Sequence, residues 1–296
     1  MNQKILSQSL PKEVKVSFEF FPPTTEKSML SLWKCIKRLQ PVRPSFVSVT
    51  YGAGGTTRER THETVVRIAK ETNMKSVAHL TCIDSNKHEI TSIADRYWQV
   101  GVRHIVALRG DSSDGKNSYI PHPGGYAFAS DLVEGLRKVA DFEISVAAYP
   151  ECHPESKNQN EDLDNLQRKI DAGATRAITQ YFFDPDVYLR FLEQVRGRGI
   201  QIPIIPGILP VTNFNQVKKF SALSGTHIPD WLADLFEDID DDQETRKLVA
   251  ASVASEQCRI LCANGVKDFH FFTLNRSDLT YAICHILGVR PNQGKK

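Results

Sequence analysis

Short apolar runs recur along the chain, separated by longer stretches in which apolar and polar residues mix. The runs are rich in β-branched or aromatic residues and are bounded by Gly, Pro, Asp or Asn, which is typical of strands. Several runs are apolar on both faces, as are the buried strands of a parallel sheet. The pattern predicts eight strands, over residues 14–21, 45–51, 76–82, 103–110, 144–150, 176–183, 202–209 and 266–274.

The stretches between the strands show helical spacing. Apolar residues at positions i, i+3, i+4 and i+7 predict helices over 29–36 and 188–195, and residues 211–263 are expected to hold more than one helix. Eight strands that alternate with helices favour a barrel or a doubly wound sheet. The strand count and the length of 296 residues favour the barrel. We therefore predict the α/β class, with a single (β/α)8 TIM-barrel domain over 1–296 that begins with a flexible segment over about 1–13.

Composition and charge exclude some classes of protein. Lys and Arg total 37 and Asp and Glu total 35, and the net charge of only +2 argues against a dedicated binder of nucleic acid or membrane surfaces. Six scattered cysteines without a CxxC pair indicate free thiols in a reducing compartment. The first residues lack the apolar stretch of a signal peptide, and no run approaches the ~18 apolar residues of a membrane span. These features predict a cytoplasmic protein with neither a nucleic-acid nor a membrane partner.

One acidic residue lies inside the first predicted strand. Glu19 alternates with Phe18 and Phe20, so the phenylalanines can pack under the helices while the carboxylate faces the barrel interior. Burying an ionised carboxylate without a partner costs several kcal/mol. Such a site raises the pKa of the carboxyl group, which suits a general acid near neutral pH. A buried structural Glu–Arg pair is the alternative interpretation of Glu19.

Other polar residues lie at the carboxyl ends of the predicted strands, where barrels of this type form their active sites. Taken singly, such residues are more often caps or solvated loop residues. The GAGG turn at 52–55 is neither a GxGxxG fingerprint nor a P-loop, and the histidines lack the HxH and HExxH spacings, so we predict no metal ion. The acidic run at 237–242 is interpreted as a solvated helix cap, and the polar loop over 111–125 as a functional lid or a mobile segment.

A series of segments, in order and almost without gaps, gives the sequence a family resemblance. They are SFEFFPP (17–23), FVSVTYGAGG (46–55), HLTC (79–82), RHIVALRGD (103–111), ISVAAYPE (144–151), RKIDAGATRAITQYFFD (168–184), PIIPGILPVTNF (203–214), GVKDFHFFTLNR (265–276) and AICHILGVRP (282–291). Over about residues 14–291 the chain closely resembles the bacterial methylenetetrahydrofolate reductases. The resemblance implies a flavin-dependent (β/α)8 barrel, in agreement with the pattern above. It also implies that the regulatory C-terminal domain of the longer eukaryotic members is absent.

The resemblance further implies a reaction. Members of the family reduce 5,10-methylenetetrahydrofolate to 5-methyltetrahydrofolate, the methyl source for methionine. Non-covalently bound FAD takes a hydride from NADH or NADPH, and folate then replaces the nicotinamide in a ping-pong order. A homotetramer and a preference for NADH are implied as well, although no residue of this chain by itself distinguishes NADH from NADPH.

Catalytic and folate-binding residues carry over from the family by position. Glu19 matches the acid that protonates N10 of folate, and its apolar setting agrees with that role. Asp111 matches a second catalytic residue, whose negative charge near the flavin favours the cationic form of the substrate. The folate contacts correspond to Gln180, Gln216, Phe220 and Arg276.

The FAD contacts carry over in the same way. They correspond to Thr50, Tyr51, Ala53, His79, Leu108, Arg109, Gly110, Asp111, Phe128, Ala129, Ala147, Tyr149, His153, Asp162, Asn165, Arg168 and Lys169. Charge supports three of them, because Arg109, Arg168 and Lys169 can neutralise a diphosphate. The family often has a tyrosine where this chain has Phe128, and Tyr126 lies nearby, so which of the two rings contacts FAD is open.

Two other hypotheses stand beside the flavin reductase. A metal-dependent hydrolase or lyase on the same barrel would use the histidines as ligands, and metal analysis after dialysis tests for it. A non-catalytic folate- or flavin-binding protein would keep the site without the chemistry. The effect of Glu19→Gln on folate turnover distinguishes this binding protein from an enzyme.

Overall fold

A computed structural model describes residues 13–51, 57–111 and 119–291 of the chain. Eight parallel strands close into a barrel in the order of the sequence. They are β1 (Lys15–Phe20), β2 (Val47–Val49), β3 (Ser76–Thr81), β4 (His104–Leu108), β5 (Glu143–Ala148), β6 (Arg176–Tyr181), β7 (Ile204–Ile208) and β8 (Asp268–Phe272). Each lies within its predicted range except β5, which starts at Glu143 rather than at 144. The predicted (β/α)8 barrel is confirmed.

Helices surround the barrel. In the described residues they are α1 (Glu26–Leu39), α2 (Arg58–Glu71), α3 (Lys87–Gln99), α4 (Ala129–Val139), α5 (Gln159–Asp171), α6 (Pro185–Gly197), α7 (Phe214–Ser224), α8 (Asp230–Leu235), α9 (Gln243–Ala263) and α10 (Asp278–Ile286). The helices predicted over 29–36 and 188–195 lie within α1 and α6, and α7 to α9 fill the stretch predicted to hold several helices. None of the helices in these ranges is both long and apolar enough to span a bilayer.

Polar residues start several helices by accepting hydrogen bonds from free backbone N–H groups. Asn86 accepts from the Glu89 N–H at 2.9 Å at the start of α3. Asp242 accepts from the Thr245 N–H at 3.0 Å at the start of α9. Because Asp242 ends the acidic run at 237–242, the predicted cap role of that run is confirmed.

The strands pack against different surroundings on their two faces. Phe18 and Phe20 are buried in the main core between the barrel and the helices, as the alternation in β1 predicted. A second, small apolar cluster of Phe46, Val77, Val106 and Ile178 lies inside the barrel. Barrel interiors are usually filled by branched aliphatic residues, whereas this one also holds buried serine and histidine side chains.

Hydrogen bonds between neighbouring strands join the polar interior residues. The Ser17 hydroxyl of β1 lies 2.8 Å from Nδ1 of His270 in β8. The Ser145 hydroxyl of β5 lies 2.7 Å from Nε2 of His104 in β4. Burial lowers the pKa of His104 to about 3, so its ring is neutral near neutral pH. The division of the chain into domains stays a prediction, and the flexible segment predicted over about 1–13 falls almost wholly outside the described residues.

Candidate active site

A cavity of about 580 Å³ lies at the carboxyl ends of β4 and β5, a volume within the range of roughly 300–1,000 Å³ of small-molecule sites. The first turn of α4 and one face of α5, from its first turn to its last, complete its walls. We call it the site cavity. Most of the predicted FAD residues line it, namely Leu108, Arg109, Gly110, Asp111, Phe128, Ala129, Ala147, Tyr149, His153, Asp162, Asn165, Arg168 and Lys169. The fold therefore brings these residues together, and their contact with FAD stays a prediction.

Two helices begin at the site cavity, where their free N–H groups and dipoles favour a bound anion. Asp131 accepts the backbone N–H groups of Ala127 and Phe128 at 3.0 Å, which fixes the turn that enters α4. Asn158 accepts the Glu161 N–H at 3.0 Å at the start of α5. Along α5, Asp162, Asn165 and Lys169 share the face that lines the cavity, in agreement with their helical spacing.

Arg109 is the cation at the end of β4. Its guanidinium forms a bidentate salt bridge with Glu155, in which Nη2 donates to Oε1 at 2.7 Å and Nη1 donates to Oε2. Nε donates to the Gly110 carbonyl at 3.4 Å, and the guanidinium carbon lies 4.4 Å from the centre of the Tyr119 ring. The hydrogen bond from Arg109 holds the pKa of Glu155 below its usual value. Neither Glu155 nor Tyr119 was predicted from the sequence.

Lys169 lies at the inner wall of the cavity. Its Nζ donates to the Ala147 carbonyl at 2.6 Å. Burial lowers the pKa of Lys169 to about 8, although the neighbouring Asp162 opposes that shift. Asp162 accepts the His153 N–H at 3.3 Å, and burial raises the pKa of its carboxyl group. Lys169 therefore carries a charge at neutral pH that a modest rise in pH removes.

The two aromatic residues before α4 have different surroundings. Phe128 lines the cavity and is 58% exposed. The Tyr126 ring packs so closely on Gly135 of α4 that a Cβ atom there would clash with its hydroxyl, and Tyr126 is absent from the residues that line the cavity. The geometry therefore favours Phe128 as the ring available to a ligand.

Three of the remaining FAD candidates lie on β3, the strand next to β4, or directly after β2. Thr50 follows β2 and accepts the Thr61 hydroxyl through its carbonyl at 2.9 Å. The Tyr51 hydroxyl is buried without a hydrogen-bond partner among the described residues, and burial raises the pKa of Tyr51 to about 12. His79 lies in β3 and faces Glu19. Ala53 lies outside the described residues.

Glu19 points into the barrel interior, as the alternation in β1 predicted. Its Oε2 lies 3.4 Å from Nε2 of His79 and 3.6 Å from Nε2 of His270. The Glu19 side chain is 14% exposed, whereas His270 is fully buried. Both Nε2 atoms lack a well-formed hydrogen bond within the described residues. The neighbours of Glu19 are therefore histidines rather than the arginine of the alternative interpretation.

The predicted rise in the pKa of Glu19 is wrong for this structure. Burial does raise that pKa, but the polar contact with His270 and the charges of His79 and His270 lower it by more in sum. The prediction considered the phenylalanines beside Glu19 and not the imidazoles on β3 and β8. Burial in turn lowers the pKa of His79, against the opposing effect of Glu19.

A strained turn joins the ends of β8 and β1. Leu274 and Asn275 both adopt left-handed backbone conformations, with φ of 49° and 56°. The Asn275 amide accepts the Phe21 N–H at 2.9 Å and donates to the Phe21 carbonyl at 3.0 Å. The turn thereby places Arg276 at the end of β8 and ties it to the strand that carries Glu19. Strain of this kind is often retained at functional sites.

The predicted folate residues surround the same end of the barrel. Gln180 is half-buried in β6, and its Oε1 accepts the Tyr181 N–H at 3.0 Å. Gln216 is exposed in the first turn of α7, and Phe220 packs partly against the core from the same helix. Arg276 is exposed beyond β8. The fold places all of them around the barrel mouth, and their contact with folate stays a prediction.

Sequence reasoning missed His270, the second imidazole beside Glu19. Its signal was present, since a histidine inside the apolar segment 266–274 is as unusual as Glu19 inside 14–21. The metal-dependent alternative needs a cluster of ligands. In the ranges that the structure covers, no group of three or more His, Cys, Asp and Glu side chains is arranged to hold a metal ion.

A closed parallel barrel with a cavity lined by charged residues and a partly buried acid near the carboxyl ends of its strands defines a (β/α)8-barrel enzyme. Residues 4–288 match the family model described as methylenetetrahydrofolate reductase. The chain belongs to the methylenetetrahydrofolate reductase family, and it is an oxidoreductase.

Individual relatives agree with this assignment. The 5,10-methylenetetrahydrofolate reductase of Escherichia coli (strain K12) is 54% identical over 289 residues, which cover 97% of this chain and 96% of that protein. Methylenetetrahydrofolate reductase (NADH) 1 of Zea mays is 34% identical over 97% of this chain and 50% of its own length.

A solved structure is similar in fold. It is a Clostridium thermocellum protein that binds two copies of 5-methyl-5,6,7,8-tetrahydrofolic acid, with a TM-score of 0.62, 17% identity and coverage of 97% of this chain and 98% of that one. At this identity the likeness shows the fold alone.

Proposed function

We propose that the protein reduces 5,10-methylenetetrahydrofolate to 5-methyltetrahydrofolate, with FAD held in the site cavity and NADH or NADPH as the hydride donor. The observation that carries the proposal is the partly buried Glu19, which lies beside two imidazoles at the mouth of a barrel whose sequence belongs to this family. Bound FAD would supply the hydride carrier, and the protein would supply binding, orientation and a proton.

The residues of the site cavity fit a flavin dinucleotide. Ala147 contributes no bulk beyond a methyl group to the wall, which leaves room for a flat ring. Arg109 and Lys169 supply positive charge, and the starts of α4 and α5 supply free N–H groups, and both favour a bound diphosphate. A cavity of about 580 Å³ is large enough for a substantial part of such a ligand.

The position of Glu19 supports its proposed role as the proton donor to N10 of folate. Its carboxyl group faces inward at the mouth and is 14% exposed, so a flat ligand above it would complete its burial. Burial already is the largest influence on the pKa of Glu19 and raises it. We expect folate binding to raise this pKa towards the value that a general acid needs, against the effect of the histidines.

The other proposed roles follow from position. Asp111 lines the cavity at the end of β4, where its carboxylate would favour positive charge on the substrate. Gln180 would orient the folate ring, Phe220 would pack against the flat part of the folate tail, and Arg276 would pair with its carboxylate. The same proposal includes a preference for NADH, a homotetrameric assembly, a cytoplasmic location and a role in supplying methyl groups for methionine.

An anaerobic spectral titration tests the function. The purified protein, supplied with FAD, should be yellow, lose its absorbance with NADH and regain it on addition of 5,10-methylenetetrahydrofolate. NADPH in place of NADH measures the donor preference in the same experiment. A protein that binds no FAD, or a reduced flavin that folate does not reoxidise, would refute the proposal.

The acid role of Glu19 is tested by Glu19→Gln. We expect flavin binding and flavin reduction by NADH to be retained while folate reduction is lost by two or more orders of magnitude, since a general acid typically contributes roughly 10²–10⁴-fold. Glu151→Gln is the control, because Glu151 is another partly buried carboxyl group after β5, whose carboxylate accepts the His227 N–H at 3.1 Å. Equal folate turnover in Glu19→Gln and in wild type would refute the assignment.

A further inference from the structure

The salt bridge between Arg109 and Glu155 lies on the wall of the site cavity, and both residues line that cavity. The Arg109 side chain is 19% exposed and the Glu155 side chain is 54% exposed. Glu155 therefore covers, from the solvent side, a guanidinium that the protein otherwise largely buries. A carboxylate in this position restricts which anions the guanidinium can bind.

Arg109 has few donors left for another anion. Glu155 takes the fork formed by Nη1 and Nη2, Nε donates to the Gly110 carbonyl, and one face of the guanidinium stacks on Tyr119. Arginine binds carboxylates and phosphates through the same pair of parallel N–H groups. A diphosphate that engages this fork must therefore compete with the Glu155 carboxylate.

The charges that line the cavity add to this competition. Its cationic residues are Arg109, Arg168 and Lys169. Its carboxylates are more numerous, namely Asp111, Asp131, Glu155, Glu161 and Asp162. While Glu155 neutralises Arg109, the lining gives a diphosphate little net attraction, and release of Arg109 from Glu155 supplies the missing charge.

We infer that Glu155 is an internal competitor of the cofactor: its carboxylate holds the Arg109 fork that the cofactor diphosphate takes, and it thereby sets the affinity of the site for ligands that carry a diphosphate. The inference rests on the proposed function, because FAD is the ligand of this type that the function requires. Glu155 acts through Arg109 and takes no part in hydride or proton transfer.

Equilibrium binding to the flavin-free full-length protein tests the inference. FAD, riboflavin and ADP are titrated against wild type and Glu155→Gln, with flavin fluorescence for the first two ligands and calorimetry for ADP. We expect Glu155→Gln to bind FAD and ADP roughly 2- to 5-fold more tightly, the effect of removing one partly exposed ion pair. Riboflavin lacks the diphosphate, and its affinity should stay unchanged.

Glu161→Gln is the matched control. Glu161 also lines the cavity and accepts the Lys157 N–H at 2.6 Å, so its substitution removes the same formal charge without freeing Arg109. We expect a smaller change in FAD affinity than in Glu155→Gln. Glu155→Ala, which leaves neither a charge nor a hydrogen-bonding group at this position, should tighten FAD binding like Glu155→Gln.

The possible results separate this inference from the proposed function. Wild type that binds no FAD refutes the proposed function. If wild type binds FAD and Glu155→Gln binds it equally or less tightly, only the inference is overturned. Weaker binding would show that Glu155 orients Arg109 for the cofactor. Equal tightening of riboflavin, or equal tightening in Glu161→Gln, also overturns it.

Discussion

The turn after β8 allows a quantitative test through Asn275. Asn275→Ala removes two hydrogen bonds to Phe21, of 2.9 and 3.0 Å, and leaves an alanine at φ of 56°. Because the turn is partly exposed and water can replace these bonds, each should contribute about 0.5 kcal/mol, the lower end of the usual range. The left-handed conformation, which asparagine tolerates better than other residues with a Cβ, costs alanine roughly 1 kcal/mol. We therefore expect Asn275→Ala to lower the free energy of unfolding by about 2 kcal/mol.

Two further variants separate the hydrogen bonds from the backbone strain. Asn275→Gly loses the same bonds without the left-handed penalty and should be about 1 kcal/mol more stable than Asn275→Ala. Asn264→Ala is the control, because Asn264 follows α9 at a negative φ of −95° and its side chain donates a hydrogen bond to the Ile260 carbonyl at 2.9 Å. Urea unfolding followed by circular dichroism measures all three.

The Asn275 variants also have an expected kinetic effect. Since Arg276 follows the turn directly, Asn275→Ala should raise the KM for folate more than it lowers kcat. Two results would refute the stabilising role of this turn. One is an Asn275→Gly variant that is no more stable than Asn275→Ala. The other is a loss of unfolding free energy in Asn275→Ala equal to that in Asn264→Ala.

Three predictions concern titratable groups. His270→Asn removes a contact that lowers the pKa of Glu19, so we expect that pKa to rise. The pH profile of folate reduction should then extend to higher pH, while flavin reduction by NADH stays unchanged. A pH profile equal to that of wild type would contradict this prediction. Lys169 has its pKa lowered to about 8, so FAD affinity should fall as pH rises through 8 in wild type and should not do so in Lys169→Met. The pKa of His104 is about 3 in the folded protein, against 6.5 for an unperturbed histidine. Between these two pH values only the unfolded chain protonates His104, so the free energy of unfolding should fall as pH decreases from 6.5 towards 3. Urea unfolding at pH 7 and pH 5 should show a smaller loss in His104→Asn than in wild type, and an equal loss would contradict it.

The fold was predictable because its signals are local. The alternation of residues along a strand depends only on neighbouring positions. It correctly predicted Phe18 and Phe20 in the main core between the barrel and the helices, and Glu19 in the barrel interior. Helix spacing likewise placed Asp162 and Lys169 on one face of α5. Most of the other cavity residues came from the family resemblance, since no local pattern marks them.

The missed features depend on contacts between distant parts of the chain. Glu19 and His270 lie in strands at opposite ends of the sequence that become neighbours only when the barrel closes. The sequence therefore predicted the wrong direction for the pKa shift of Glu19, because the effect of burial was considered without the imidazoles that offset it. Asn275 forms hydrogen bonds with Phe21, 254 positions away in the sequence, and no pattern in the segment 266–276 predicts that contact. Glu155 precedes α5 in a loop, where a carboxylate is ordinary.

The polar interior of the barrel has a consequence for the evolution of this sequence. Ser17 and His270 form one buried pair and His104 and Ser145 another, each joining two strands. Loss of Ser17 would leave Nδ1 of His270 buried without its partner, and loss of His104 would do the same to the Ser145 hydroxyl, at a cost of about 1–3 kcal/mol each. Replacing both members of a pair by apolar residues of similar shape can be nearly neutral. Among related chains, positions 17 and 270 should therefore change together, as should positions 104 and 145. An aliphatic barrel interior would accept such substitutions one at a time.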